Sequence, residues 1–206
     1  MPLRLAVLIS GSGSTLQNLM DHQKEGKLLA EIVTVVSSRA QVAGLDKARQ
    51  AGLPAIVIER KGKSLQPFAD EIYKHLRQIQ IDLVCLAGFL EFLPIPEDFT
   101  NKVINIHPSL IPAFCGKGYY GRHVHEAVIR MGVKISGCTV HFADNEYDHG
   151  PIILQKAIPV RDEDTPESLA KRVFAAECDA LPEAINLIAE NRVIVRNNRT
   201  WVNHSD

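Results

Sequence analysis

No stretch of this 206-residue chain approaches the ~18 consecutive apolar residues that a membrane-spanning helix needs. A helical membrane anchor is therefore not expected. The first apolar run, Leu5 to Ile9, ends in a Gly/Ser turn without a cleavage-site pattern, so it reads as a strand and not as a secretory leader. An excess of one charge is also missing. Lys and Arg number 23, Asp and Glu 24, and no block of like charges occurs. A nucleic-acid partner would call for a basic patch, so none is expected. Cysteine is sparse: Cys85, Cys115, Cys138 and Cys178 show no metal-ligand spacing, and the chain is too long to need disulfide staples. Free thiols in a reducing cytoplasm, with no bound metal, are the expectation. Internal repeats and low-complexity linkers are absent, and Leu93-Pro94-Ile95-Pro96 is too short to separate domains. One domain, residues 1–206, follows from this length, as a monomer or homodimer.

What is present is a regular alternation of strand and helix patterns. Residues 3–9, apolar but for Arg4, read as a strand buried on both faces. After a Gly/Ser turn, Leu16, Leu19 and Met20 recur at helical spacing. Strands are expected at 32–36, 55–58, 82–87, 103–106, 136–142 and 152–160. Helices are expected at 40–51, closed by Gly52, at 67–79 with Phe68, Ile72 and Leu76 on one stripe, and at 123–131. Thr165 caps a long helix reaching about 190, with Pro166 at its first position, and a hairpin closes 193–202 around Asn197-Asn198. Strands separated by helices imply parallel pairing through crossovers. The fold class is α/β: one doubly wound, mostly parallel, Rossmann-like sheet with helices on both faces. Ligands of such sheets sit beyond the carboxyl ends of the strands, here the turns 10–15, 87–93, 105–118 and 142–151.

The first turn reads as an anion cradle. Gly11 and Gly13 follow the first strand and precede a helix, whose amides and dipole attract a phosphate; Ser14 and Thr15 add hydroxyls. Leu16 stands where a dinucleotide fingerprint needs its third glycine, and no P-loop lysine follows, so a single phosphate is favoured. A plain strand-to-helix turn is the alternative.

The segment Asn105-Ile106-His107-Pro108-Ser109-Leu110-Ile111-Pro112 is the most informative. Strand alternation puts Asn105 and His107 on one side, and Pro108 ends the ladder, so two polar side chains project together at a strand's carboxyl end. A third candidate lies in the acidic connection 144–151, where Asp144, Glu146 and Asp148 are equal by spacing and a solvated acidic turn is the alternative. Amide, imidazole and carboxylate together suit attack of an amine on a carbonyl. The first two donate to the oxyanion, and the carboxylate supports the histidine and accepts a proton. Ser109 and Cys115 lie in no nucleophile elbow. His123 and His125, two apart in a helix, point to different faces, which disfavours a metal site.

These segments resemble the folate-dependent formyltransferases. The likeness is carried by Asn105 to Pro112, the turn Ser10-Gly11-Ser12-Gly13-Ser14-Thr15-Leu16-Gln17, Ala87-Gly88-Phe89-Leu90, Gly137-Cys138-Thr139-Val140-His141-Phe142 and Asp148-His149-Gly150-Pro151. The resemblance implies the formyltransferase fold and a catalytic trio of Asn105, His107 and Asp148, selecting Asp148 over its neighbours. It further implies transfer of a formyl group from 10-formyltetrahydrofolate to the amine of glycinamide ribonucleotide, a step of purine biosynthesis. By the same likeness Gly13, Ser14 and Thr15 hold the ribonucleotide phosphate, and Glu177 contacts the ribonucleotide. Leu90, Glu91, Phe92, Leu93, Asn105, Asp144, Asn145, Glu146 and Tyr147 enclose the folate.

The chain departs from the family pattern in places. Thr15 stands where many relatives carry Asn, and His149 replaces the first glycine of a common Asp-Gly-Gly. The segment Lys61-Gly62-Lys63-Ser64-Leu65 lacks an arginine that holds the folate tail in some relatives. Residues 114–121 are expected to form a loop over the site. Two rivals remain: a formyltetrahydrofolate hydrolase, which usually carries a regulatory domain ahead of the first strand, and a non-catalytic folate or nucleotide binder.

Overall fold

The computed structural model describes residues 1–203. The strands are β1 Leu3–Ile9, β2 Ala30–Ser37, β3 Ala55–Val57, β4 Leu83–Leu86, β5 Val103–His107, β6 Ile135–Phe142, β7 Ile152–Pro159, β8 Val193–Arg196 and β9 Arg199–Val202. The helices are α1 Ser14–Lys24, α2 Ala43–Gln50, α3 Leu65–Gln78, α4 Arg122–Met131 and α5 Pro166–Ala189. Strand order is β3-β2-β1-β4-β5-β6-β7 in a mostly parallel sheet, with β8-β9 as a separate ribbon. The expected α/β class is the one observed. No helix among the described residues is long and apolar enough to cross a membrane.

The chain forms two compact units, Met1–Ile104 and Asn105 onward. In the first, β1 pairs in parallel with both β2 and β4, and β2 with β3. Residues Leu5 to Ile9 are fully buried, which explains why this part of β1 is apolar without alternation. Strand order reverses between β1 and β4, so the turns after these two strands flank a switch point, the usual ligand position of such sheets. Helix α3 buries Phe68, Ala69, Ile72, Tyr73 and Leu76 along one stripe. It begins two residues before Pro67, which sits in the first turn where no amide donor is needed. Helix α2 begins at Ala43, later than its apolar pattern predicts, because the Gly44 N–H is held by the Gly11 carbonyl at 3.1 Å.

In the second unit β6 and β7 pair antiparallel, joined by the loop 143–151. Helix α5 is opened by a reciprocal capping box: Ser168 N–H donates to the Thr165 hydroxyl, and Thr165 N–H to the Ser168 hydroxyl. It continues past Pro182, whose missing donor does not end it. The β8-β9 hairpin turns at Asn197 and Asn198, both at positive φ, the backbone that asparagine tolerates and a tight hairpin needs.

Candidate active site

The second unit assembles a polar cluster at the end of β5. Asn105 and His107 lie two residues apart on that strand, and Asp148 arrives from the β6–β7 loop. The Asp148 Oδ1 accepts from Asn105 Nδ2 at 3.4 Å. Its Oδ2 accepts the Gly116 N–H at 2.8 Å and lies 3.5 Å from His107 Nδ1. The three side chains singled out by sequence thus meet. The His107 and Asp148 side chains are only 4% and 12% exposed, so their interaction is little screened by water.

Tautomers follow from the partners. His107 Nε2 faces the Phe114 carbonyl at 2.9 Å, so it carries a proton. With Nε2 donating, Nδ1 can donate to Asp148 only in the cationic ring. His141, on β6, is the opposite case. Its Nδ1 faces the Phe142 carbonyl at 2.9 Å, and its Nε2 lies 3.2 Å from Asn105 Nδ2. Burial depresses the His141 pKa and favours the neutral ring. The neutral ring donates from Nδ1 and accepts an Asn105 N–H at Nε2, which fixes the amide's rotation. Sequence reasoning quoted the His141 segment without giving this side chain a role. The available signal was strand alternation, which puts a second histidine two residues beyond Thr139 on the same face.

The acidic loop separates its three carboxylates. Asp144 turns onto its own loop, accepting the Glu146 N–H at 2.9 Å and meeting His149 Nδ1 at 2.7 Å. Asn145, Glu146 and Tyr147 lie exposed at the tip, and Asp148 alone reaches His107. Asp148 has φ +52°, a conformation aspartate tolerates better than most side chains. Gly150 is obligatory: a Cβ there would lie 2.0 Å from the Phe142 carbonyl oxygen.

Segment 114–121 contributes directly through the Phe114 carbonyl and Gly116 amide, and it is more than a surface connection. Cys115 lies within it. Burial and the Asp148 charge raise its thiol pKa, which argues against a thiolate nucleophile. His123 is exposed near Glu126, whereas His125 is buried, its pKa depressed by burial and by His107. Glu177 is a partly buried residue of α5, and burial pushes its carboxyl up to about 7.

In the first unit, Gly13 precedes α1 with φ +67°, and α1 has neither a side-chain cap nor an acidic residue in its first turn. The first-turn amides of any helix lack intrahelical acceptors, and no carboxylate of this turn competes for them. Ser14 is exposed and Thr15 partly so. A Cβ on Gly13 would lie 2.6 Å from Gly44 Cα, so the second glycine serves close packing as well as the turn. Sequence reading passed over Gly44. Ser10 was quoted within the first turn without a role; its amide donates to the Gly88 carbonyl at 3.1 Å and its hydroxyl accepts the Leu90 N–H at 2.9 Å. Ser10 thereby ties the first turn to segment 88–90. Within 90–93, Leu90 is exposed, Glu91 and Phe92 are partly buried, and Leu93 is buried.

Comparison with known proteins gives a consistent result. A formyl transferase family model matches residues 3–185. The chain is 47% identical over 193 residues to trifunctional purine biosynthetic protein adenosine-3 of Bos taurus, covering 92% of this chain and 19% of that protein. It is 38% identical over 198 residues to a chloroplastic phosphoribosylglycinamide formyltransferase of Vigna unguiculata, covering 94% and 63%. The chain therefore spans about a fifth of the bovine protein and under two thirds of the plant one. The crystal structure of glycinamide ribonucleotide transformylase 1 from Symbiobacterium toebii superposes with a TM-score of 0.91 at 40% identity, over 98% of this chain and 94% of that one. A formyltetrahydrofolate deformylase from Pseudomonas syringae pv. tomato superposes with a TM-score of 0.88 at 26% identity, over 98% and 66%.

Proposed function

The chain belongs to the formyl transferase family, and from that premise we propose that it is an enzyme of purine biosynthesis, moving the formyl group of 10-formyltetrahydrofolate to the amine of glycinamide ribonucleotide. The observation that carries this reading is the meeting of Asn105, His107 and Asp148 at one buried point. Residues 1–206 are taken as one formyltransferase domain, and four free thiols suit a reducing compartment such as the cytoplasm.

The chemistry follows from the contacts. The substrate amine attacks the formyl carbon, forming a C–N bond and an oxyanion. Protonated His107 donates to that oxygen through Nε2, displacing the Phe114 carbonyl that accepts the proton here. With the amide held by His141, the Asn105 N–H that makes only a long contact with Asp148 is offered to the same oxygen. Asp148 keeps the cationic ring in place and accepts the amine proton, directly or through water. Collapse breaks the bond to the folate nitrogen, which takes up a proton, and tetrahydrofolate leaves. No metal takes part. Gly13, Ser14 and Thr15 hold the ribonucleotide phosphate on the uncapped start of α1. Glu177 contacts the ribonucleotide, and its raised pKa lets the carboxyl donate as well as accept. Residues 90–93 and 144–147 contact the folate.

The test is to mix purified protein with 10-formyltetrahydrofolate, with and without glycinamide ribonucleotide, and follow folate deformylation. Turnover only with the amine acceptor is expected. Formate release without it would establish the hydrolase instead, and tight binding without turnover a binder.

A further inference from the structure

The β6–β7 loop carries a histidine that the transfer chemistry above does not use. His149 follows Asp148 directly, and its Nδ1 lies 2.7 Å from Asp144 Oδ2. The other oxygen of that carboxylate accepts the Glu146 N–H at 2.9 Å. Asp144 therefore grips its own loop on both sides of the tip. The neck is pinned independently, by Phe142 N–H on the Pro151 carbonyl at 2.9 Å and by the close approach of Gly150 to Phe142. Between neck and tip stands Asp148, at φ +52°. Such backbone persists in a non-glycine residue only where the surroundings hold it.

The geometry points to His149 as a positioning residue for the formyl transfer: its clasp on Asp144 closes the loop and keeps the Asp148 carboxylate beside His107. The inference rests on the transferase reading. His149 is not among the positive-φ residues, so nothing in the backbone requires glycine there.

The local charges support the clasp. The hydrogen bond to Asp144 and the charges of Asp144 and Glu146 raise the His149 pKa above its ordinary value. Those two carboxylates are the charged groups facing the ring from its own loop. From β6, His141 also feels the Asp144 charge, but burial favours its neutral form. The clasp is strongest while His149 is cationic and weakens as pH rises through its raised pKa. The weakening is partial, because a neutral ring still donates from Nδ1.

The experiment measures kcat and KM across about pH 5 to 9 for the wild type, His149→Ala and His149→Gln, together with an NMR titration of His149 in the wild type and in Asp144→Asn. The pair is exposed, so His149→Ala is expected to lower kcat only about two- to fivefold, with KM for glycinamide ribonucleotide unchanged. His149→Gln, whose amide donates to Asp144 at any pH, should recover most of that loss and lack the alkaline decline of the wild type. The His149 titration should move down in Asp144→Asn. An alanine variant with wild-type kcat and pH profile, or a titration indifferent to Asp144→Asn, would overturn the inference. A wild type that transfers no formyl group would overturn the transferase reading and the role given to His149 with it. The titration alone would then still judge the clasp.

Discussion

His107 and His141 occupy one cluster with different partners. His107 Nε2 donates to a carbonyl and its Nδ1 lies 3.5 Å from a carboxylate, whereas a carbonyl and an amide N–H make His141 a donor and an acceptor. Glu177 supplies the clearest linkage at this scale. Its folded pKa, about 7, stands above the ordinary carboxylate value of 4.5. Between those values the native state holds a proton that the unfolded chain has released. The stabilisation this confers is complete below the unfolded pKa and lost as pH rises through the folded one. Glu177→Gln, permanently neutral, should therefore match the wild type in urea unfolding near pH 4.5. At pH 8 it should be more stable by on the order of 1–3 kcal/mol, discounted for partial exposure. An equal difference at both pH values would place Glu177 in a more solvated setting. The trio was legible as residues, because strand alternation pairs Asn105 with His107. The choice of Asp148 over Asp144 and Glu146 was not, since it depends on a positive-φ turn that spacing does not encode.

At the level of elements, the first turn and the β6–β7 loop are each fixed by a glycine packed against backbone, Gly13 and Gly150. Gly44, in the first turn of α2, has an ordinary φ, so its requirement is spatial. A Cβ there would lie 2.6 Å from Ile9 Cδ1, 3.0 Å from the Gly11 carbonyl and 3.1 Å from Gly13 Cα. Gly44→Ala should push the α2 start away from the anion turn, costing about 1–3 kcal/mol by overpacking. A lowered Tm and weaker binding of glycinamide ribonucleotide are the readouts, and a variant with wild-type Tm would show that the turn has room. Strand and helix positions were readable from periodicity to within a few residues, and the Thr165 cap from its residue types. Gly44 and Ser10 were not, because each acts on a partner distant in sequence: Gly44 on Gly13, Ser10 on Leu90. Local pattern carries no record of such approaches.

For the molecule as a whole, mostly parallel topology follows from alternating strands and helices, while the antiparallel β6–β7 pair breaks the pattern where its loop delivers Asp148. Strands were expected at 136–142 and 152–160 with no helix between them, but no antiparallel pairing was drawn from that spacing. Asp148 is proposed to act chemically, through His107 and on the amine proton. Asp148→Asn tests it most directly, since the amide keeps the size and one acceptor oxygen but not the charge. Formyl transfer should fall by about 10²- to 10⁴-fold, while Tm and affinity for glycinamide ribonucleotide stay near wild type. Turnover close to that of the wild type would contradict the account.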